Sequence, residues 1–156
     1  MKVGFLGLGK LGLPVALAIE SKGHDICGTD ISNTTLENIK IKKINYKEIW
    51  VDDYLKNTKL QVFDLEGVVR NSDIIFVPIQ TPHDEKYEGI TRIPKERADF
   101  NYEYLIKGMK DLSNEIEKQG DDKIVIIIST VLPGTVRKEI KPLLSKKVKL
   151  CYNPFF

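Results

Sequence analysis

The stretch that most constrains the fold of this chain is residues 2–30, in which two strand-like apolar runs flank a glycine-rich turn and a helix-type pattern. The first run ends in GLGKLG, which occupies residues 7–12. Apolar residues at helical spacing follow as far as Gly23, and the second run ends at Asp30, eighteen residues after Gly12. This order of strand, turn, helix and strand predicts a βαβ unit.

Each glycine of the turn has a physical role in binding a dinucleotide. Gly7 permits the tight turn, Gly9 lets the backbone approach a pyrophosphate, and Gly12 lets the helix pack close to the strand. The free N–H groups of the first helical turn would hold the anion. Asp30 can accept hydrogen bonds from both hydroxyls of an adenine ribose and would repel a 2′-phosphate, which predicts NAD rather than NADP. The alternative is a βαβ unit whose glycines serve packing only.

The rest of the chain alternates strand and helix, which predicts an α/β fold: a doubly wound parallel sheet of the Rossmann type in a single domain. A length of 156 residues suits one domain. The predicted strands are 2–6, 24–29, 60–63, 73–77, 123–128 and 148–152. The predicted helices are 10–22, 32–42 (capped by Ser32), 64–70, 101–118 and a last one that ends near residue 145.

Two segments give a weaker pattern. Tyr46, Trp50 and Tyr54 recur every four residues, which would place three aromatic rings on one helical face. Such a stripe could form a ligand platform, but we interpret it as a cover over the core. Residues 84–100 are polar, charged and interrupted by Pro94, and they predict a long loop.

Three predicted loops leave the carboxyl ends of strands with polar groups: residues 7–12, 79–83 and 129–134. Ligands of doubly wound sheets bind outside these ends, near the point where the strand order reverses. If the strand order is the usual one, the three loops line one crevice. The alternative for the second and third loops is ordinary turn chemistry. His83 lies beside this crevice, but neither it nor His24 has a partner in the sequence that indicates catalysis.

Composition limits the partners. The formal net charge is +2 and the basic residues are scattered among acids, which does not favour nucleic acid. Cys27 and Cys151 are too few for a disulfide framework and lack a metal-type spacing. No apolar run has the length of a membrane span, and the N-terminus indicates a strand rather than a signal peptide. We expect a cytoplasmic protein without a metal, nucleic-acid or membrane partner.

Four segments together resemble the N-terminal domain of the UDP-glucose/GDP-mannose dehydrogenase family: GFLGLGKLGLPVALAIESKGHDICGTD, VPIQTP, STVLPGT and YNPFF. The resemblance covers essentially the whole chain, residues 1–156. The first segment is shared with the wider group of β-hydroxyacid dehydrogenases, whereas the others narrow the resemblance to nucleotide-sugar dehydrogenases.

The resemblance implies an oxidoreductase of polysaccharide biosynthesis, homodimeric at full length, that oxidises the primary alcohol of a UDP- or GDP-sugar to a uronic acid by two hydride transfers to NAD. It carries catalytic assistance over to Thr130, which matches the threonine that lies near the nicotinamide and helps to position a water. A hydroxyl can do this as hydrogen-bond donor and acceptor, not as a strong base. The residues that it assigns to NAD binding are Gly7, Leu8, Gly9, Lys10, Leu11, Gly12, Asp30, Thr81, Ser129 and Thr130.

The sequence departs from the family pattern in two places. Phe155 stands where the family has a glutamate that takes part in acid–base chemistry, and a phenyl ring cannot transfer a proton. Residues 33–35 lack the basic residue that often follows the ribose acid, which should weaken adenosine binding modestly. The family's nucleophilic cysteine lies in a central helix and C-terminal domain outside this chain, and Cys151 does not match it. We therefore expect a cofactor-binding domain that is inactive alone; the alternatives are a β-hydroxyacid dehydrogenase relative and a non-catalytic NAD-binding module.

Overall fold

In the part of the chain that the structure describes, six strands form a sheet in which every hydrogen-bonded pair is parallel. The computed structural model describes residues 1–87, 89–90, 92 and 95–155, so that Pro94 and Phe156 of the sequence predictions lie outside the described residues. The strands are β1 (Lys2–Leu6), β2 (Asp25–Thr29), β3 (Gln61–Val62), β4 (Ile74–Val77), β5 (Lys123–Ile127) and β6 (Val148–Tyr152). Their order is β3-β2-β1-β4-β5-β6, which is that of the doubly wound dinucleotide-binding fold, and the predicted fold class is confirmed.

The α-helices of the described residues are α1 (Gly12–Glu20), α2 (Asn33–Lys40), α3 (Val51–Asn57), α4 (Leu65–Arg70) and α5 (Glu103–Gln119). The helix predicted after Thr135 is present, but as a π-helical segment at Val136–Ile140 that passes into a 3₁₀ turn at Lys141–Leu143. Pro142 has no N–H to continue an α-helical ladder there. None of the helices in the described part of the chain combines the length and apolar content needed to cross a membrane.

Two apolar clusters cover opposite faces of the sheet. Phe76 packs with the cluster that β1 and β2 form with α1, α2 and α3, whereas Ile75 and Val77 belong to the cluster formed with α4 and α5. Successive side chains of a strand point to opposite faces, so β4 contributes to both clusters. This explains why the β-branched runs of β4 and β5 are almost continuously apolar.

The aromatic stripe does not cover the core as predicted. Trp50 and Tyr54 are 55% and 41% exposed, and their rings meet edge to face with centroids 6.2 Å apart. Trp50 adopts a left-handed conformation with φ of 60°, so α3 begins only at Val51 and Tyr46 is not on it. Val51 and Leu55, on the other side of α3, are the residues that reach the core. The spacing of four residues between Tyr46, Trp50 and Tyr54 therefore spans the start of α3 and does not place the three rings on one helical face.

Candidate dinucleotide-binding site

The three loops predicted to share a crevice follow β1, β4 and β5, which are adjacent in the sheet. In register, Phe5 of β1 pairs with Phe76 of β4, and Phe76 pairs with Ile126 of β5. Because the strands are parallel, their carboxyl ends lie at the same edge. The strand order reverses between β1 and β4, which is the position where such sheets bind ligands.

The glycines of the first loop have different surroundings. Gly7 has a φ of 123°, which a side chain would strain, and its N–H donates to the Thr29 carbonyl at 2.9 Å. A Cβ at Gly12 would lie 2.1 Å from the Gly7 carbonyl oxygen and 2.9 Å from Cγ of Pro78. A Cβ at Gly9 would meet no heavy atom of the described residues within 4 Å. The fold thus requires Gly7 and Gly12 to be glycine, whereas at Gly9 there is open space beside the backbone.

The first turn of α1 has the features of an anion-binding helix start. Among the described residues, no side chain caps it and its first turn holds no acid. By contrast, α2 is capped by Ser32, which accepts from the Thr35 N–H at 3.2 Å, and α4 by Asp64, which accepts from the Gly67 N–H at 2.8 Å. Helix starts carry N–H groups without intrahelical partners and a partial positive charge. Together with the open space at Gly9, α1 fits a pyrophosphate.

Asp30 follows β2 and organises the backbone on both sides of it. Its carboxylate accepts hydrogen bonds from the Leu8 N–H at 2.8 Å and from the Ser32 N–H at 2.8 Å. A carboxylate has about four lone-pair sites. Asp30 therefore keeps the capacity to accept from ribose hydroxyls while it holds the glycine-rich loop. The sequence indicated the first role and gave no sign of the second.

The predicted residues of the first loop divide into buried and exposed ones. The Leu8 side chain is buried among the apolar residues under α1, and its N–H is bound by Asp30, so it does not offer a side chain to the crevice. Gly9, Lys10 and Leu11 are exposed and form the outer part of the loop. These three residues are the exposed part of the loop, whereas Gly12 and Leu13 at the start of α1 are buried.

The second and third loops meet directly. Thr81 donates its hydroxyl to the Thr130 carbonyl at 2.6 Å, and Thr130 itself is exposed. The neighbouring Ser129 is buried, and its hydroxyl donates to the Val77 carbonyl at 3.1 Å. The structure therefore brings Thr81 and Thr130 together at the sheet edge, whereas the Ser129 hydroxyl is turned into the fold. His83 is exposed in the second loop, and its Nδ1 lies 3.0 Å from the Asp84 carbonyl oxygen.

Two tyrosines that the sequence prediction missed brace the third loop. The Tyr152 hydroxyl accepts from the Val131 N–H and donates to the Val131 carbonyl, both at 3.2 Å. The Tyr102 hydroxyl accepts from the Leu132 N–H at 3.1 Å and donates to Asp99. Burial and the hydrogen bond to Asp99 raise the pKa of Tyr102, so its hydroxyl stays protonated at neutral pH. Val131 and Tyr152 are 21 residues apart, and Leu132 and Tyr102 are 30 residues apart, so no local sequence pattern predicts these contacts.

The chain is similar to nucleotide-sugar dehydrogenases. A sequence profile described as "UDP-glucose/GDP-mannose dehydrogenase family, NAD binding domain" matches residues 1–156. UDP-N-acetyl-D-mannosamine dehydrogenase of Pyrococcus horikoshii is 28% identical over 142 residues, which are 88% of this chain and 30% of that protein. GDP-mannose 6-dehydrogenase of Pseudomonas aeruginosa is 26% identical over 149 residues, which are 92% of this chain and 32% of that protein.

Among solved structures, a ternary complex of GDP-mannose dehydrogenase from Pseudomonas aeruginosa superposes with a TM-score of 0.85 at 25% identity, over 100% of this chain and 36% of that one. The chain thus spans about a third of the length of the relatives that it matches. The match of the family profile over all 156 residues favours this group over the wider set of β-hydroxyacid dehydrogenases.

Proposed function

The chain belongs to the UDP-glucose/GDP-mannose dehydrogenase family as its NAD-binding domain, and from this membership we propose that it is the cofactor-binding part of a nucleotide-sugar dehydrogenase. The full enzyme would oxidise the primary alcohol of a UDP- or GDP-sugar to a carboxylate in two steps. The observation that carries the proposal is the hydrogen bond between Thr81 and Thr130 at the sheet edge where the strand order reverses and where α1 follows β1.

The residues along the crevice suit successive parts of NAD. The N–H groups of Gly9, Lys10 and Leu11, which are exposed residues, and those at the start of α1 would hold the pyrophosphate. Asp30 would accept from the adenine ribose hydroxyls. Thr81 and Thr130 would contact the end that carries the nicotinamide, which supplies the hydride acceptor when NAD is bound. Ser129 would contribute main-chain atoms, because its side chain is buried and its hydroxyl donates to the Val77 carbonyl.

We assign Thr130 the role of orienting a water or the substrate hydroxyl at the reacting carbon. The side chain suits this role because its carbonyl, not its hydroxyl, takes part in the bond with Thr81. A threonine hydroxyl can both donate and accept a hydrogen bond, but at neutral pH it is too weak a base to remove a proton by itself. The base of the reaction must therefore be another group.

That base is not supplied by the position that the family uses in this domain. The Asn153 N–H donates to the Ile127 carbonyl at 2.9 Å and extends the pairing past the end of β6. Phe155, two residues further on and 39% exposed, has no group that ionises. We infer that this chain alone binds NAD but does not turn over, and that the covalent chemistry takes place on residues outside it.

We place the full enzyme in the cytoplasm as a homodimer, with a nucleotide sugar as substrate and no nucleic-acid or membrane partner. Residues 1–156 would be one domain of it. Phe155 favours a second candidate, an NAD-binding module without chemistry. The reading frame after residue 156 separates the two, because a continuation with a cysteine-bearing loop supports the enzyme and a stop codon supports the module.

The direct test incubates the chain with NAD and, in separate reactions, UDP-glucose, UDP-N-acetylmannosamine and GDP-mannose, and follows NADH by absorbance. A complete nucleotide-sugar dehydrogenase serves as positive control, and calorimetry measures NAD binding in the same preparation. We expect NAD binding without NADH formation. Sustained NADH formation by the chain alone would contradict the proposal that the covalent chemistry takes place on residues outside it. Absence of NAD binding would contradict the proposal that the three loops bind NAD.

A further inference from the structure

Three side-chain hydroxyls from separate parts of the fold hold residues 130–132. Thr81, after β4, binds the carbonyl of Thr130. Tyr152, the last residue of β6, binds both the N–H and the carbonyl of Val131. Tyr102, at the start of α5, binds the N–H of Leu132. These contacts hold the two peptide units that follow the Cα atom of Thr130.

The two tyrosines differ in burial, because Tyr152 is 38% exposed and is placed by its strand. Tyr102 is only 8% exposed within the apolar cluster around α5, and its hydroxyl is oriented by Asp99, whose carboxylate also accepts from the Phe100 N–H at 2.8 Å. Tyr152 lies in β6, where it pairs in register with Ile127 of β5. Tyr102 is the residue immediately before α5 and Tyr152 belongs to the sheet, so both hydroxyls come from outside the loop that they hold.

The contacts leave the functional group of Thr130 available. All of them involve main-chain atoms of residues 130–132, and Thr130 stays exposed. A short loop with exposed residues would otherwise sample several backbone conformations, and each ordered residue has an entropy cost. Groups that hold a reacting side chain in place act best from rigid elements.

We propose that Tyr102 and Tyr152 are positioning residues that hold the Val131 and Leu132 peptides so that the Thr130 side chain faces the nicotinamide end of bound NAD. This inference rests on the proposed function of Thr130. The tyrosines act through the main chain and touch neither cofactor nor substrate. A purely structural role, in which the hydroxyls only stabilise the fold, makes different predictions for the two measurements below.

The first measurement needs no cofactor. Amide hydrogen exchange is followed by NMR in the unsubstituted chain and in Tyr152→Phe and Tyr102→Phe. Loss of one hydrogen bond should speed exchange at Val131 in the first variant and at Leu132 in the second by between about twofold and tenfold. The amides of Val125 and Ile127 should keep their protection. Tyr104→Phe, which alters a tyrosine on α5 that is 52% exposed, is the matched control.

The second measurement asks whether the tyrosines act through Thr130. Calorimetry gives the dissociation constant of NAD for Tyr152→Phe and Tyr102→Phe, each with Thr130 present and in a Thr130→Ala background. We expect each tyrosine substitution to weaken NAD between about twofold and tenfold when Thr130 is present, and by less than about twofold when it is absent. Such coupling is what a positioning role requires.

The outcomes separate the two proposals. Equal losses of NAD affinity in both backgrounds, no loss in either, or unchanged exchange at Val131 and Leu132 would each overturn the positioning role. Failure of the unsubstituted chain to bind NAD would contradict the proposed function, and the exchange measurement would still decide whether the hydroxyls hold the loop.

Discussion

Thr81 donates its hydroxyl to the main-chain carbonyl of Thr130 at 2.6 Å, across 49 residues of sequence. The bond ties the loop after β4 to the loop after β5 at the carboxyl edge of the sheet. A side-chain hydrogen bond therefore links two loops that the sequence marks only by turn-forming residues. The glycine-rich loop follows the adjacent strand β1 at the same edge, and we propose that an elongated cofactor contacts all three loops.

Replacing Thr81 tests that coupling. Thr81→Val keeps the shape of the side chain but removes the donor, and we expect NAD affinity to fall between about twofold and tenfold. The free energy of unfolding should change by less than about 0.5 kcal/mol, because the site is on the surface. Thr81→Ser keeps the hydroxyl and serves as the control in calorimetry and urea denaturation. A loss of affinity as large in Thr81→Ser as in Thr81→Val would contradict the role given to the hydroxyl.

Alanine substitutions at Gly9 and Gly12 should have different effects, one on NAD affinity and the other on stability. Gly12→Ala places a Cβ 2.1 Å from a backbone oxygen and should lower the free energy of unfolding by about 1–3 kcal/mol. Gly9→Ala meets open space and should leave stability nearly unchanged, while its methyl group obstructs the approach of a pyrophosphate and weakens NAD about tenfold or more. Urea denaturation and calorimetry on both variants check this. Full NAD affinity in Gly9→Ala would show that the open space is not used.

Ser129 and Thr130 are neighbours with opposite expected effects. Ser129→Ala removes a buried hydrogen bond to Val77, whose carbonyl still accepts from the Ile128 N–H at 3.2 Å, so the cost should be about 1 kcal/mol of stability. NAD affinity should stay within about twofold, since the hydroxyl does not face the crevice. Thr130→Ala should show the reverse pattern. If Ser129→Ala weakened NAD without loss of stability, the assignment of the two residues would have to be exchanged.

The two thiols should differ in reactivity. Burial raises the pKa of Cys27, the hydrogen bond with Ser72 opposes this only in part, and the side chain is packed within the sheet. Cys151 is exposed on β6. Because the thiolate is the reactive form, a disulfide reagent at neutral pH should modify Cys151 readily and Cys27 only after unfolding. Cys151→Ser should abolish the fast reaction; two thiols of similar rate in the folded chain would contradict the burial of Cys27.

The first βαβ unit was predictable because its rules are local. A positive φ at Gly7 and the close contact at Gly12 each demand glycine, and Asp30 follows at the end of the next strand. The strand order was assumed to be the usual one of the doubly wound fold, and the sheet has that order. The family resemblance added Thr81 and Thr130, which turn chemistry alone would not have selected.

The features that the sequence prediction missed depend on contacts between residues that are distant in sequence, which residue spacing does not reveal. The stripe of Tyr46, Trp50 and Tyr54 assumed one continuous helix, but a left-handed residue at Trp50 separates its members. The second role of Asp30, as acceptor of the Leu8 N–H, and the bracing of Val131 by Tyr152 both join residues more than twenty positions apart. Such bonds form only after the sheet has brought loop and strand ends together.

The central claim, that this chain binds NAD through its glycine-rich loop and Asp30, is tested most directly by calorimetric titration of NAD and NADP into the chain and into Asp30→Ala. We expect the unsubstituted chain to bind NAD at least about tenfold more tightly than NADP, because the carboxylate accepts from the ribose and repels a 2′-phosphate. Asp30→Ala also frees the Leu8 N–H and should weaken both ligands, so the ratio of the two affinities is the informative quantity, and it should fall towards one. Equal binding of NAD and NADP by the unsubstituted chain would contradict the account.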